Sequence, residues 1–225
     1  MNKVFNPEKN TWSSLAKRPL YSLDSVKGIV DEIFTNVKLK GDEALVDYTN
    51  KFDKVNLNDL LVSDKKINNS ENDIDKDLKE SINIAFNNIY KFHKNQAFNS
   101  KKTETTPGVF CWQEKRAIEN VGLYIPGGTA PLFSSVLMLA IPAMIANCKN
   151  IVLCSPPNNN GELHPAILYC AKLCKVNKVI CVGGAQSIAA MSIGTKSVPK
   201  VNKIFGPGNQ YVTYAKLKSI NFNTA

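Results

Sequence analysis

The sequence predicts an α/β fold in which a parallel sheet, covered by helices on both faces, follows a mostly helical first part. Three observations predict it. Between residues 119 and 225, four short apolar runs end in glycine or proline, and each is followed by a segment of helical periodicity. Before residue 119, apolar residues recur at helical spacing with charges between them. A hydrophobic content of 44% with 21% charged residues over 225 positions is enough to bury one large core or two small ones. The chain therefore divides into 1–118, mostly helical, and 119–225, alternating strand and helix.

In the first part, Val26, Ile29, Val30, Ile33 and Val37 lie on one helical face, and Gly41 is placed to end that helix. Ala44, Leu45, Tyr48 and Phe52 form a second stripe. After a polar stretch rich in Asn, Asp and Lys, residues Leu78, Ile82, Ala85, Phe86, Ile89 and Phe92 predict the clearest amphipathic helix. Pro107-Gly108 reads as a turn, and 109–116 as a strand or ribbon leading into the second part.

In the second part, 121–125 is a short strand ended by Pro126-Gly127-Gly128, with a helix running through Met144 and Ala146. The next strand, 151–154, ends at Ser155-Pro156-Pro157 and precedes a helix from about His164 to Lys175. Residues 178–182 form the third strand, ended by Gly183-Gly184, with a helix from Ala185 to about Ile193. The fourth, 201–205, ends at Gly206-Pro207-Gly208 before a helix from about Asn209 to Ser219. With right-handed crossovers this makes a Rossmann-like layer.

Composition narrows the function classes. No apolar run reaches the roughly 18 residues of a membrane span; the stretch from Ala130 to Ala146 is interrupted by two prolines and two serines. The N-terminal residues lack the apolar core of a signal peptide, and a cytoplasmic location is expected. The six cysteines (111, 148, 154, 170, 174 and 181) are expected as buried structural thiols rather than disulfides. Cys170 and Cys174 stand one helical turn apart, as a metal pair does, but zinc needs two more ligands and the only histidines are His93 and His164. Both histidines are expected to be structural, His164 as a surface or capping residue. The formal charge is +9, and 119–225 holds nine Lys and two Glu but no Arg and no Asp. Such a balance fits a nucleic-acid binder, yet the lysines are scattered and 26 Asn accompany them. Compositional drift, with some attraction for a phosphate-bearing cofactor, is the preferred reading.

Ligands of such sheets bind beyond the carboxyl ends of the strands. Three of the four strand ends carry glycine pairs or near-pairs, which let the backbone approach a ligand, and the helix starts behind them suit a pyrophosphate. Tyr124, Gln186 and Asn209 stand beside these loops. One alternative is that the glycines only make tight turns, with Asn209 as a helix N-cap. Three such loops at one edge favour a nucleotide site instead. It lacks the G-x-G-x-x-G fingerprint and the acidic residue about 20 positions further on. Residues 119–225 also offer almost no general base: Glu119 and Glu162 read as solvated surface acids, and no catalytic or metal-ligating residue is expected in the chain.

The run VGLYIPGGTAPLFSSVLMLAIPAMIANCKNIVLCSPP, then VGGAQSIAAMSIGT, then SVPKVNKIFGPGNQYVTYAK closely resembles the histidinol dehydrogenase family. GDEAL at 41–45, KFD at 51–53 and TPGV at 106–109 agree with it. The resemblance covers essentially the whole chain, but only the N-terminal half of the family's length. It implies NAD-dependent oxidation of L-histidinol to L-histidine through L-histidinal, one zinc ion, an intertwined homodimer, and a cytoplasmic enzyme of histidine biosynthesis. It also implies NAD contacts at Tyr124, Gln186 and Asn209. The zinc ligands, the proton-handling Glu–His pair and most substrate contacts belong to the other half, so the first domain is expected to be incomplete here. The reading from a different class is a catalytically inactive nucleotide-binding remnant or assembly module.

Overall fold

The computed structural model describes residues 3–17, 23–97, 100–127 and 131–225. Gly128 of the first glycine pair and Ala130 of the apolar stretch lie outside the described residues.

After the single turn α1 (Trp12–Leu15), helix α2 (Asp24–Lys40) buries Val26, Val30, Ile33, Phe34 and Val37. Gly41 ends it with φ +59°, its N–H donating to the Val37 carbonyl at 2.9 Å. Helix α3 (Asp42–Asp53) buries Ala44, Leu45 and Tyr48, and Lys54, in the left-handed region at φ 61°, turns the chain away. The polar stretch holds one helix that periodicity does not expose, α4 (Asp64–Asn69), started by the Ser63 hydroxyl accepting from the Lys66 amide. It is too short to show a repeat, so only its cap advertises it.

Helix α5 (Lys76–Lys94) starts at Asp75, whose carboxylate accepts from the Leu78 amide at 2.7 Å. Its apolar stripe is less covered than the pattern suggests. Ile82 is the one buried residue of the helix, Leu78, Ala85, Phe86 and Ile89 are half-buried, and Phe92 is 64% exposed. Helix α6 (Phe133–Ile145) packs against α5 and Tyr169 donates to Asn83 at 3.2 Å, and together these neighbours leave part of the stripe uncovered. Next, β1 (Thr103–Thr106) and β2 (Val109–Cys111) form an exposed antiparallel hairpin around Gly108, φ +81°. The expected ribbon over 109–116 stops at Cys111 because β1 offers no partner beyond Thr103.

The remaining elements alternate as expected: β3 (Asn120–Tyr124), α6 (Phe133–Ile145), β4 (Asn150–Ser155), α7 (Pro165–Leu173), β5 (Lys178–Cys181), α8 (Gly184–Ile193), β6 (Lys203–Phe205) and α9 (Gln210–Ser219). All four strands are parallel, in the order β5-β4-β3-β6. Succession moves outward from β3 to β5 and then jumps back to β6, so the order reverses between β3 and β6, where α/β sheets open a crevice. Helix α6 packs with α5 and α7, while α8 packs with α9, α2 and α3. One hydrophobic core runs from α2 and α3 through the sheet to α9.

The edge of β5 is closed by the polar stretch itself. The Val62 amide donates to the Val179 carbonyl at 2.9 Å and the Cys181 amide to the Leu60 carbonyl at 2.8 Å, an antiparallel bridge that leaves less of that edge unpaired. On the other edge the Ile204 amide donates to the Ala225 carbonyl at 2.7 Å. No helix of the described residues is long and apolar enough to cross a membrane.

Candidate functional site

A cleft of about 480 Å³ lies at the carboxyl edge of the sheet. Tyr124 enters from the end of β3, Pro156 and Pro157 from the loop after β4, Gly184 and Gln186 from the start of α8, and Asn209 and Tyr211 from the N-cap and first turn of α9. Thus the three residues singled out from the sequence share one cavity. Its opposite wall comes from the first part of the chain: Ile29 and Ile33 of α2, and Phe52 and Asp53 at the end of α3.

Glycine is required at two points of this edge. Gly206 has φ +140° and its missing Cβ would collide with the Tyr124 carbonyl oxygen. Gly184 has φ +61°, and a Cβ there would stand 2.5 Å from Gln186 Oε1. Both positions let loops from neighbouring strands close over the cleft.

Each polar side chain has a defined free valence. The Tyr124 hydroxyl accepts from the Gly184 amide at 3.3 Å, which leaves its own proton to donate. Burial raises its pKa; the Gly184 hydrogen bond opposes that, and the nearby Asp53 and Cys154 add to it, so the phenol remains a donor at neutral pH. Asn209 Oδ1 accepts from both the Tyr211 and Val212 amides at 3.1 Å, capping α9. The capping alternative is therefore physically realised, and it orients the side chain so that Nδ2 carries two donors away from the helix. Gln186 is 1% exposed, and its Oε1 is buried with no hydrogen-bond partner. Asp53 is half-buried with Oδ2 unpartnered, and burial pushes its carboxyl above the ordinary aspartate value. Donors and acceptors thus converge on one space, and two buried acceptors await a ligand's donors.

The histidines and glutamates read as structural or solvated do not line this cleft. His164 is exposed and caps α7, its Nδ1 accepting from the Ala166 amide at 3.2 Å. His93, in the last turn of α5, pairs with Gln96 just beyond the helix at 2.8 Å. Glu119 and Glu162 form exposed ion pairs with Lys149 and Lys66 at 3.0 and 2.6 Å. All six cysteines are free thiols; four are buried as expected, but Cys148 is half-buried and Cys111 is exposed, because the β1–β2 hairpin that carries it does not pack on the core. Burial pushes Cys170 and Cys174 up to about 12, unsuited to thiolate chemistry. Among the described residues no three of His, Cys, Asp and Glu gather as a metal site.

Sequence reasoning misses Asp53, Phe52, Ile29 and Tyr211 as part of the cleft. The KFD triplet at 51–53 belongs to the family resemblance, but nothing local signals that the end of α3 reaches the sheet edge.

The histidinol dehydrogenase family model matches residues 16–223. The chain belongs to the histidinol dehydrogenase family. A histidinol dehydrogenase of Bacteroides thetaiotaomicron is 53% identical over 216 residues, covering 96% of this chain and 50% of that protein. One from Buchnera aphidicola is 54% identical over 202 residues, 89% of this chain and 46% of its own length. The crystal structure of histidinol dehydrogenase from Elizabethkingia anophelis superposes with a TM-score of 0.90 at 48% identity, over 98% of this chain and 51% of that one. The chain spans about half the length of the curated relatives it matches. With these relatives the α/β fold of the family extends over essentially all of the chain.

Proposed function

We propose that this chain is the nucleotide-binding part of a histidinol dehydrogenase, holding NAD in the cleft between Tyr124, Gln186 and Asn209 for the oxidation of L-histidinol to L-histidine through L-histidinal. The observation that carries the reading is Gln186: a fully buried amide whose Oε1 has no partner, in the wall of the cleft where the strand order reverses. Tyr124 and Asn209 Nδ2 supply donors for phosphate oxygens, while Gln186 and Asp53 supply acceptors for sugar hydroxyls. When bound, NAD supplies the hydride acceptor. The chain's own residues bind and orient it, and Ile29, Ile33 and Phe52 exclude water from one wall.

Oxidising an alcohol also requires removal of the hydroxyl proton and stabilisation of the alkoxide. The zinc implied by the family resemblance finds no fitting donor set among the described residues. Those tasks, the L-histidinol contacts and the homodimer are assigned to the full-length enzyme.

The test is calorimetric titration of the chain with NAD, followed by an assay with histidinol and NAD, alone and mixed with a separately expressed second half of a relative. Micromolar to millimolar NAD binding, no turnover alone and turnover on mixing are expected. Histidinol-dependent NAD reduction by the chain alone would refute the division of labour. Binding without turnover in any mixture would favour an inactive nucleotide-binding module.

A further inference from the structure

We propose that the Asp53 carboxylate receives the ribose hydroxyls at the adenosine end of the bound nucleotide, and so selects a free 2′-hydroxyl over a 2′-phosphate. The proposal rests on the nucleotide reading of the cleft given above and adds a specificity residue to it.

Asp53 is the last residue of α3, and the left-handed Lys54 after it carries the chain away from the cleft wall. Its carboxylate is half-buried, Oδ2 has no hydrogen-bond partner, and no ion pair reaches it among the described residues. Lys51, on the same turn, has its ammonium over the Phe52 ring at 5.6 Å. A carboxylate desolvated without compensation costs stability, and such orphaned groups point to a missing donor. The Tyr124 phenol and the Cys181 thiol lie close enough to Asp53 for its charge to raise their pKa values.

The missing partner must offer donors and carry no negative charge at that point. A vicinal diol meets both conditions, since each hydroxyl donates to a carboxylate oxygen. Beside Asp53, Phe52 and Ile29 are 47% and 43% exposed in the cleft wall, an apolar surface for the base attached to that ribose. A 2′-phosphate placed there meets the half-buried Asp53 carboxylate, a like charge at close range. Dinucleotide sites of the common fingerprint take their ribose-binding acid from the end of the second strand. Here that position is the Ser155-Pro156-Pro157 loop, and the acid arrives from the far wall instead.

The experiment is calorimetry on the whole chain with NAD, its adenosine 2′-deoxy analogue and NADP, for the wild type, Asp53→Asn and Asp53→Ala, with melting followed by circular dichroism. The wild type should bind NAD about tenfold tighter than the 2′-deoxy analogue, as loss of a hydrogen bond to a charged group implies, and should disfavour NADP more strongly. Asp53→Asn should weaken NAD about tenfold, abolish most of the 2′-deoxy penalty and narrow the NAD-to-NADP ratio. It should melt at or above the wild-type temperature, whereas a merely structural Asp53 would lower it. Equal affinity of the wild type for NAD and the 2′-deoxy analogue overturns the proposal whether or not the variants fold. NAD binding that depends on Gln186 and Asn209 but not on Asp53 sinks this inference and leaves the site standing. No nucleotide binding by the wild type sinks both.

Discussion

Replacing Asn209 by alanine, and separately by aspartate, splits two jobs that share one side chain. Oδ1 accepts from the Tyr211 and Val212 amides at 3.1 Å each, and Nδ2 is left for a ligand. Alanine removes both functions. Loss of an N-cap costs about 1 kcal/mol, and the exposed position lets water replace part of it, so a larger loss is not expected. For a chain of this length that is a fall in Tm of about 2–4 °C. Aspartate caps as well as asparagine does and suits the positive end of α9, so Asn209→Asp should melt with the wild type. It replaces a donor by a carboxylate, however, and a donor to a charged phosphate is worth about 1.5–3 kcal/mol. Both variants should therefore bind NAD about tenfold or more weakly, while only the alanine variant loses stability. Thermal melting and calorimetric titration of the same samples read the two effects apart. An unchanged Tm for Asn209→Ala would refute the cap, and NAD affinity within twofold of wild type in Asn209→Asp would refute the ligand contact.

Two further outcomes concern stability. Gly206→Ala forces a Cβ against the Tyr124 carbonyl at φ +140°, so urea unfolding should show a loss of about 3 kcal/mol; less than about 1 would mean that the two loops part easily. Asp42 accepts from the Ser197 amide at 3.1 Å and the Ser197 hydroxyl at 2.7 Å, fastening α3 to the loop after α8. Burial alone would raise its pKa, but hydrogen bonds from Ser197 and Thr195 and the Lys196 charge outweigh it, so the net shift is downward. The stability it contributes is then present above the ordinary value of 3.8 and is lost as pH falls through the lower folded value. Asp42→Asn should lower Tm at pH 7 and close the gap to wild type on acidification below about pH 4, and a pH-independent gap would remove the carboxylate from the account.

What the sequence determined by itself is local. Apolar runs such as 121–125 and 151–154 ended by glycine or proline are strands because such runs bury both faces, and the following 3.6-residue periodicity gives the helices. Tyr124, Gln186 and Asn209 could be placed at one edge because a parallel sheet puts every strand's carboxyl end on the same side. Single elements escaped where the signal was weak: α4 is too short to show a period, and 109–116 yields only three residues of strand for want of a longer partner. Only the tertiary structure decided which distant segments meet. The Leu60–Val62 stretch pairs with β5, the stripe of α5 is only partly covered, and the end of α3 brings Asp53 to the sheet edge. Asn209 needed it too, since the pattern allowed a cap or a ligand contact and the geometry shows one oxygen committed to the helix with the nitrogen left over. Periodicity records the partners a residue finds within a turn or a pleat. Partners brought together by packing leave no trace in spacing, and an unpartnered buried oxygen becomes visible only when every neighbour is in place.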